Sequence, residues 1–445
     1  MATTEQLHDH NRSLSNHLMS VFTLSRYVLF SWLAIHCFAS PQDIGAENLP
    51  DARPEAVGLS TDRLNRIETA FQRYIDDGEV PGFVVAIAKH GKIAHLKKMG
   101  LRDIENELPM ERDTIFRIYS MSKAVTSVAA MILYEEGHFE LSDPVSDHLP
   151  EFKEQPVYVS GPIGNLRTRA PNKPMTIQQL FTHSSGLSYG GDTTVVDSMY
   201  RALALWESAD LAELTRKIAS APLRFEPGTQ YHYSTSIDVL GRLVEVSSGQ
   251  SLGEFMQDRV FEPLGMDDTG FYVKPDKINR FSVMYRWVAG DSTTAPSLAP
   301  ILDQDFTEPR RLQSGGGGLV STIDDYLKFC QMILNQGELD GNRILGSRTV
   351  RYMSQDHLAP GVSVAGAAGY GGLGHGLGFG VVTNPTLLGR IGNVGELLWG
   401  GYANTFFWID PTEDMVSMVW TQMIPWGIRD FRHQLMPLVH SAIID

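Results

Sequence analysis

Cysteine is nearly missing from this 445-residue chain: Cys37 and Cys330 are the only two, too few for a disulfide framework. Cys330 lies in the apolar pattern Tyr326, Leu327, Phe329, Met332 and reads as a packed core thiol rather than a nucleophile. Neither His-Glu-x-x-His nor Cys-x-x-Cys spacing occurs, so no metal site is expected. Gly315 to Gly318 lacks the Gly-Lys-Ser/Thr of a phosphate loop; it reads as a tight turn, and no cofactor is expected. Positive charge is short as well. Lys and Arg number 37 against 52 Asp and Glu, a net charge of -15 with no basic cluster to offset it. That excludes a nucleic-acid surface and favours a small, neutral or weakly charged substrate. The apolar run from Tyr27 to Ala39 is too short to span a membrane as a helix, so no stable membrane insertion is expected. Residues 1–40 fit a secretory signal, with Met19 as an alternative start, or a disordered extension. Export to the periplasm or medium is one expectation, a cytoplasmic location the other.

What the chain does carry is Ser120-Met121-Ser122-Lys123, a hydroxyl and an amine one helical turn apart, the layout of a serine nucleophile with a lysine base. Ala124, Val125, Val128, Ala129, Ile132 and Leu133 recur at three- and four-residue steps until Gly137, which predicts a helix with Ser120 at its amino end. Unpaired amides and the positive end of the helix dipole would there stabilise an oxyanion. The alternative is a mere helix cap beside a solvated charge, yet no other lysine has a serine three residues before it.

With 42% hydrophobic content the chain can bury a large core, as one domain or two interleaved lobes. Ser60-Thr61-Asp62 caps a helix with the face Leu64, Ile67, Phe71 and Tyr74. Phe83 to Ala88, His90-Gly91 and Ile93 to Leu96 read as a β-hairpin. The middle, about 115–350, is mostly helical, including segments from Asp238 to Val246 and Thr322 to Leu334. Strands return at Leu377 to Val382, Thr405 to Ile409 and Met415 to Thr421, before a last helix from Arg429 to Ile443. Strands at both ends around a helical insert predict one antiparallel sheet assembled from the two termini and flanked by helices, with the active site between sheet and insert.

A serine beside a lysine still needs a proton relay and an oxyanion hole. Phe225 to Thr235 is a turn followed by a short polar aromatic run. A phenol near an ammonium has its anion favoured, so Tyr233 is a candidate to accept the Ser120 proton; a half-buried aromatic on a backbone carbonyl is the competing reading. Trp399-Gly400-Gly401-Tyr402 precedes a strand. Its glycines allow close approach of a ligand, and the Tyr402 amide could join that of Ser120 as the oxyanion hole, unless the glycines mark a plain bulge.

Ser120-Met-Ser-Lys123, Tyr233-Ser234 and Trp399-Gly400-Gly401, in this order, resemble the penicillin-recognising serine hydrolases: class C β-lactamases, DD-peptidases and family VIII carboxylesterases. Leu180-Phe-Thr-His183-Ser-Ser-Gly-Leu187, Phe225-Glu-Pro-Gly228 and Gly317-Gly-Leu-Val-Ser321-Thr extend the resemblance from about residue 55 to the end. It implies an α/β (α+β) fold of β-lactamase/DD-peptidase type, with a sheet lobe from about 55–115 and 370–445 and an all-helical lobe from about 116–369. Ser120 would be acylated between them, with Lys123 and Tyr233 sharing the proton transfers and Trp399, Gly400 and Gly401 contacting substrate. Class C β-lactamases carry asparagine where this chain has Thr235, and Lys-Thr-Gly where it has Trp399-Gly400-Gly401, so the cation that would hold a lactam carboxylate is missing. The Trp-Gly-Gly form is similar to family VIII carboxylesterases. That implies hydrolysis of short-acyl esters, a small-molecule partner, with β-lactamase, D-aminopeptidase, acyltransferase or a silent relative as alternatives. Gly186-Leu-Ser188-Tyr-Gly190 and Gly249-Gln-Ser251-Leu-Gly253 also match Gly-x-Ser-x-Gly, but neither serine follows a strand, as a nucleophile elbow must.

Overall fold

The computed structural model describes residues 46–288, 293–296, 305–364, 371–427 and 429–444; the expected signal segment and Cys37 lie outside the described residues. Eight strands form the main antiparallel sheet: β1 (Gly82–Lys89), β2 (Lys92–Asp103), β3 (Leu108–Pro109), β4 (Leu373–His375), β5 (Gly380–Val382), β6 (Leu397–Gly400), β7 (Phe406–Asp410) and β8 (Met415–Trp420), in the order β4-β5-β6-β7-β8-β1-β2-β3. The two ends of the chain meet where β1 pairs with β8, Val84 opposite Trp420.

β1 is buried along its whole length, and its period of two divides the core. Phe83, Val85 and Ile87 pack on one face with Phe406, Trp408 and Val419, while Val84, Ala86 and Ala88 pack on the other with Phe407, Met418 and Trp420. The first face is covered by α1 (Thr61–Asp76) and α5 (Phe431–His440). Ser60 caps α1 by accepting the Arg63 amide, and Phe71, Phe83 and Phe431 meet edge to face with centroids 5.0 Å apart along Phe71–Phe83 and Phe83–Phe431. Each such buried ring contributes about 2–3 kcal/mol. The second face is covered by α4 (Ile323–Leu334), in which Cys330 is fully buried as a core thiol.

Beyond α4 lie α2 (Ser122–Glu135) and α3 (Ser236–Ser248), which pack on each other. α2 is buried on every side from Ser122 to Leu133, its polar Ser122, Lys123 and Thr126 being hydrogen-bonded to the segment from Gly315 to Leu319. Two expectations need correction. The strand expected from Leu377 begins only at Gly380, because Leu377 and Gly378 turn the chain from β4, a strand that three residues flanked by glycines do not announce. The last helix is shorter at both ends, Phe431–His440, with Asp430 as its cap accepting the His433 amide. Among the described residues no helix is long and apolar enough to cross a membrane.

Candidate functional site

Ser120 does not cap α2. It sits in a single 3-10 turn, Tyr119–Met121, just ahead of the helix, and Tyr119 takes a positive φ of 41°, a conformation that non-glycine residues adopt only where the surroundings impose it. The turn leaves Ser120 part-exposed at a cavity of about 460 Å³ that it lines together with Tyr233, Trp399, Gly400 and Tyr402. Lys123, one turn on, is 2% exposed and its Nζ lies 3.2 Å from Ser120 Oγ. The same ammonium donates to the Gly316 carbonyl.

The face of Tyr233 closes over this pair, with Lys123 Nζ 4.7 Å from the ring centroid, a cation–π distance. Its hydroxyl makes no hydrogen bond to Ser120 or Lys123 among the described residues. The ring is held by Trp399 at 5.6 Å and His183 at 4.7 Å. His183 in turn accepts the Ser234 amide at Nδ1, 3.3 Å away. Burial, with His375 and Lys123 nearby, keeps the His183 imidazole well below its usual pKa, so it is a neutral wedge rather than a second cation. Thr235 turns away, fully buried with its hydroxyl donating to the Ser188 carbonyl at 3.2 Å.

Gly401 carries the strand end past Ser120. A Cβ there would collide with Thr405 Oγ1 and the Ile118 carbonyl, so only glycine lets the backbone lie against the turn that bears Ser120. The Gly401 amide is spent on the Thr405 carbonyl at 2.8 Å. Those of Ser120 and Tyr402 have no acceptor among the described residues, beside the same cavity, as an oxyanion hole requires. The Tyr402 side chain is 40% exposed and meets Tyr119 edge-on at 6.3 Å.

Several lining residues escape sequence reasoning. Val364, Leu373, Leu388 and Leu398 give the cavity an apolar wall, and Arg429, Asp430, Arg432 and His433 a polar one. Arg432 bears on the expected lack of a cation. Its guanidinium donates to the Gly401 carbonyl at 3.2 Å, and a Cβ on Gly400 would lie 2.5–2.7 Å from it. A positive charge therefore reaches the site from α5 rather than from the strand. Trp426 lines the cavity, whereas Trp408 does not and is stacked on His440 at 5.7 Å.

The decoys have other employment. Ser188 is fully buried, donates to Asp197, accepts the Gly190 amide at 2.9 Å and lies 3.3 Å from His232 Nε2. Ser251 caps the short helix Leu252–Met256 in a reciprocal box with Glu254. Glu396, Asp410 and His440 also cluster, with ligand atoms within 4.8 Å of one another. Arg390 stands 2.6 Å from Glu396 Oε2, and Asn393 donates to both carboxylates at 2.8 and 2.9 Å, so both carboxylates already have partners within the protein and the cluster ties a loop to the sheet.

The profile of the family described as Beta-lactamase matches residues 67–435. Protein Rv1367c of Mycobacterium tuberculosis (strain ATCC 25618 / H37Rv) is 35% identical over 372 residues, covering 81% of this chain and 90% of its own. Esterase EstB of Burkholderia gladioli is 31% identical over 375 residues, 80% of this chain and 89% of its own. Among solved structures, EstCE1, described as a hydrolase with promiscuous acyltransferase activity, superposes with a TM-score of 0.72 at 28% identity, over 85% of this chain and 99% of its own.

Proposed function

The chain belongs to the Beta-lactamase family and is a serine hydrolase of that fold, and from its site we propose that it is a carboxylesterase that cleaves short-acyl esters through an acyl-enzyme on Ser120. The observation that carries this reading is the 3.2 Å approach of the Lys123 ammonium to Ser120 Oγ, at a cavity walled by Trp399 and Gly400. Ser120 Oγ attacks the ester carbonyl carbon as its proton passes to the Lys123 and Tyr233 pair. The Ser120 and Tyr402 amides take the developing oxyanion. Collapse of the tetrahedral intermediate breaks the bond to the alkoxy oxygen, which leaves as alcohol with the proton the pair held. Water then attacks the acyl-enzyme by the reverse relay. Acyl transfer is the second reading: a cavity of about 460 Å³ has room for an alcohol acceptor in place of that water, and EstCE1 is described as a hydrolase with promiscuous acyltransferase activity.

Hydrolysis of nitrophenyl acetate tests the assignment. Ser120→Ala should abolish it, and Ser188→Ala and Ser251→Ala should leave it. A folded but dead Ser188→Ala beside an active Ser120→Ala would sink the reading. Thr235 offers the cavity no amide, so kcat/KM for the ester should exceed that for nitrocefin by on the order of a hundredfold, about 2.7 kcal/mol in transition-state binding.

A further inference from the structure

The glycine run Gly315 to Gly318 belongs to the nucleophile's helix. It is laid along the first turns of α2: Thr126 Oγ1 donates to the Gly315 carbonyl at 2.7 Å, Lys123 Nζ to the Gly316 carbonyl, and the Leu319 amide to Ser122 Oγ at 3.1 Å. What fixes the run from its other side is Asp238, in the first turn of α3 and fully buried. Its Oδ1 accepts the Ser314 hydroxyl at 2.5 Å and the Gly316 amide at 3.0 Å. One peptide unit thus separates the carboxylate from the carbonyl that holds the ammonium. Among the described residues Asp238 Oδ2 meets no donor in good hydrogen-bond geometry, and the Tyr189 hydroxyl is the polar group that faces it. Both crowd Gly316, where a Cβ would stand 2.5 and 2.9 Å from them. A buried carboxylate at that place needs either a proton or a nearby cation, and Lys123 is the cation whose field it feels.

We propose that Asp238 is a positioning residue: through Gly316 it aims Lys123 at Ser120, and its carboxylate stands as counter-charge to the Lys123 ammonium, so that the proton of Ser120 goes to the oxygen of a Tyr233 phenolate. The proposal rests on Ser120 being the nucleophile. Other ionisable groups facing the pair do not replace the carboxylate. Burial, with His375 and Lys123, lowers His183 well below its usual range, and burial lowers His375 to about 4, so both are neutral. Burial and the Asp238 charge raise Tyr189 well above the usual phenol range, so Tyr189 stays protonated. Burial also raises the Asp238 carboxyl, against the pull of Lys123, Ser314 and Gly316. The location at a helix amino end favours its anion. In this arrangement the S-x-x-K lysine is not itself the base. Its positive charge, 4.7 Å from the ring centroid, lowers the cost of a phenolate at Tyr233.

Asp238→Asn preserves the shape and an acceptor oxygen while removing the charge. With nitrophenyl acetate it should cut kcat at least about tenfold with KM little changed. The acidic limb of the kcat/KM profile should also move to lower pH by about one unit, because a deprotonated dyad is easier to form without a neighbouring anion. A variant that lost rate with an unmoved limb would mean that Asp238 only packs, and would overturn the proposal. Should Asp238→Asn fail to fold, the wild-type enzyme with ¹³C-labelled lysine gives the answer directly. The Lys123 Cε shift should remain that of an ammonium across the pH range in which kcat/KM rises, and an amine shift there would overturn it too. If Ser120→Ala were active, the nucleophile assignment would fall first. A dead Ser120→Ala with an unaltered Asp238→Asn would reject the role of Asp238 alone.

Discussion

Gly401→Ala perturbs the oxyanion geometry without adding or removing a charge at the site. Gly401 has no positive φ, so the added methyl acts by volume alone. Its Cβ would come well inside the 3.0 Å that real Cβ atoms keep from other heavy atoms, on Thr405 Oγ1 and on the Ile118 carbonyl at once. Thr405 is fully buried and Ile118 O already accepts the Met121 amide at 3.0 Å, so neither can step aside freely. The strand end must instead withdraw from the turn by on the order of 1 Å, and a misplacement of that size costs roughly a hundredfold in rate. The two amides it separates, those of Ser120 and Tyr402, are needed in the transition state rather than the ground state. The loss should therefore fall on kcat, with KM changed less than about threefold. The assay is steady-state hydrolysis of nitrophenyl acetate alongside a thermal melt, with Gly191→Ala, where a Cβ meets nothing within 4 Å, as control. A folded Gly401→Ala with kcat within about threefold of wild type would refute the oxyanion role of this strand end.

Arg432→Ala should weaken an ester that bears a free carboxylate by roughly ten- to hundredfold in kcat/KM, the worth of a charge-assisted hydrogen bond, and leave nitrophenyl acetate nearly unaffected; Arg432→Lys should recover part of the loss, and equal losses on both substrates would mean that Arg432 only braces Gly401. Burial lowers His95 to about 4, so below its unfolded value near 6.5 the unfolded chain takes a proton that the fold refuses. Its contribution is intact above pH 6.5 and lost as pH falls toward 4. The urea-derived stability of wild type should accordingly fall relative to His95→Leu by about 2 kcal/mol between pH 7.5 and pH 5, and a pH-independent difference would show that His95 takes its proton as readily in the fold as in the unfolded chain.

How much of this could be read in advance depends on how far apart the partners lie. Lys123 reaches Ser120 within one helical turn, and Phe83 to Ala88 alternates between two cores because a strand has period two; both follow from local geometry. The position of Tyr233 over Lys123 and of Trp399 over Tyr233 could be anticipated only as a joint motif, since nothing local brings residues 123, 233 and 399 together. Arg432 and Asp238 were beyond even that. Arg432 reaches the cavity by packing of α5 against the sheet, across 31 residues from Gly401. Asp238 read as one more polar residue in a helix until its Oδ1 was found on the Gly316 amide, 78 residues away.

Ser188 shows why a motif needs its surroundings. Gly-x-Ser-x-Gly places it beside His232 and Asp197, the three residue types of a hydrolytic triad, and by composition alone it outranks Ser120. The order of bonds is wrong for that chemistry. Ser188 donates its proton straight to Asp197, while the imidazole, 3.3 Å from Ser188 Oγ, also has the Arg224 guanidinium 3.4 Å from the same Nε2. Arg224 and the carboxylate form an ion pair at 2.5 Å. An imidazole crowded by a guanidinium is a poorer proton acceptor, and its pKa is held below the usual histidine range by burial and by Arg224. Above all, Ser188 is 0% exposed, so no carbonyl carbon can reach its oxygen. Ser120 has the converse properties: a part-exposed oxygen on a cavity, an amine at 3.2 Å and a neighbouring amide without an acceptor. Access and an unspent lone pair decide which serine can be acylated, and by both criteria the choice falls on the serine without a histidine.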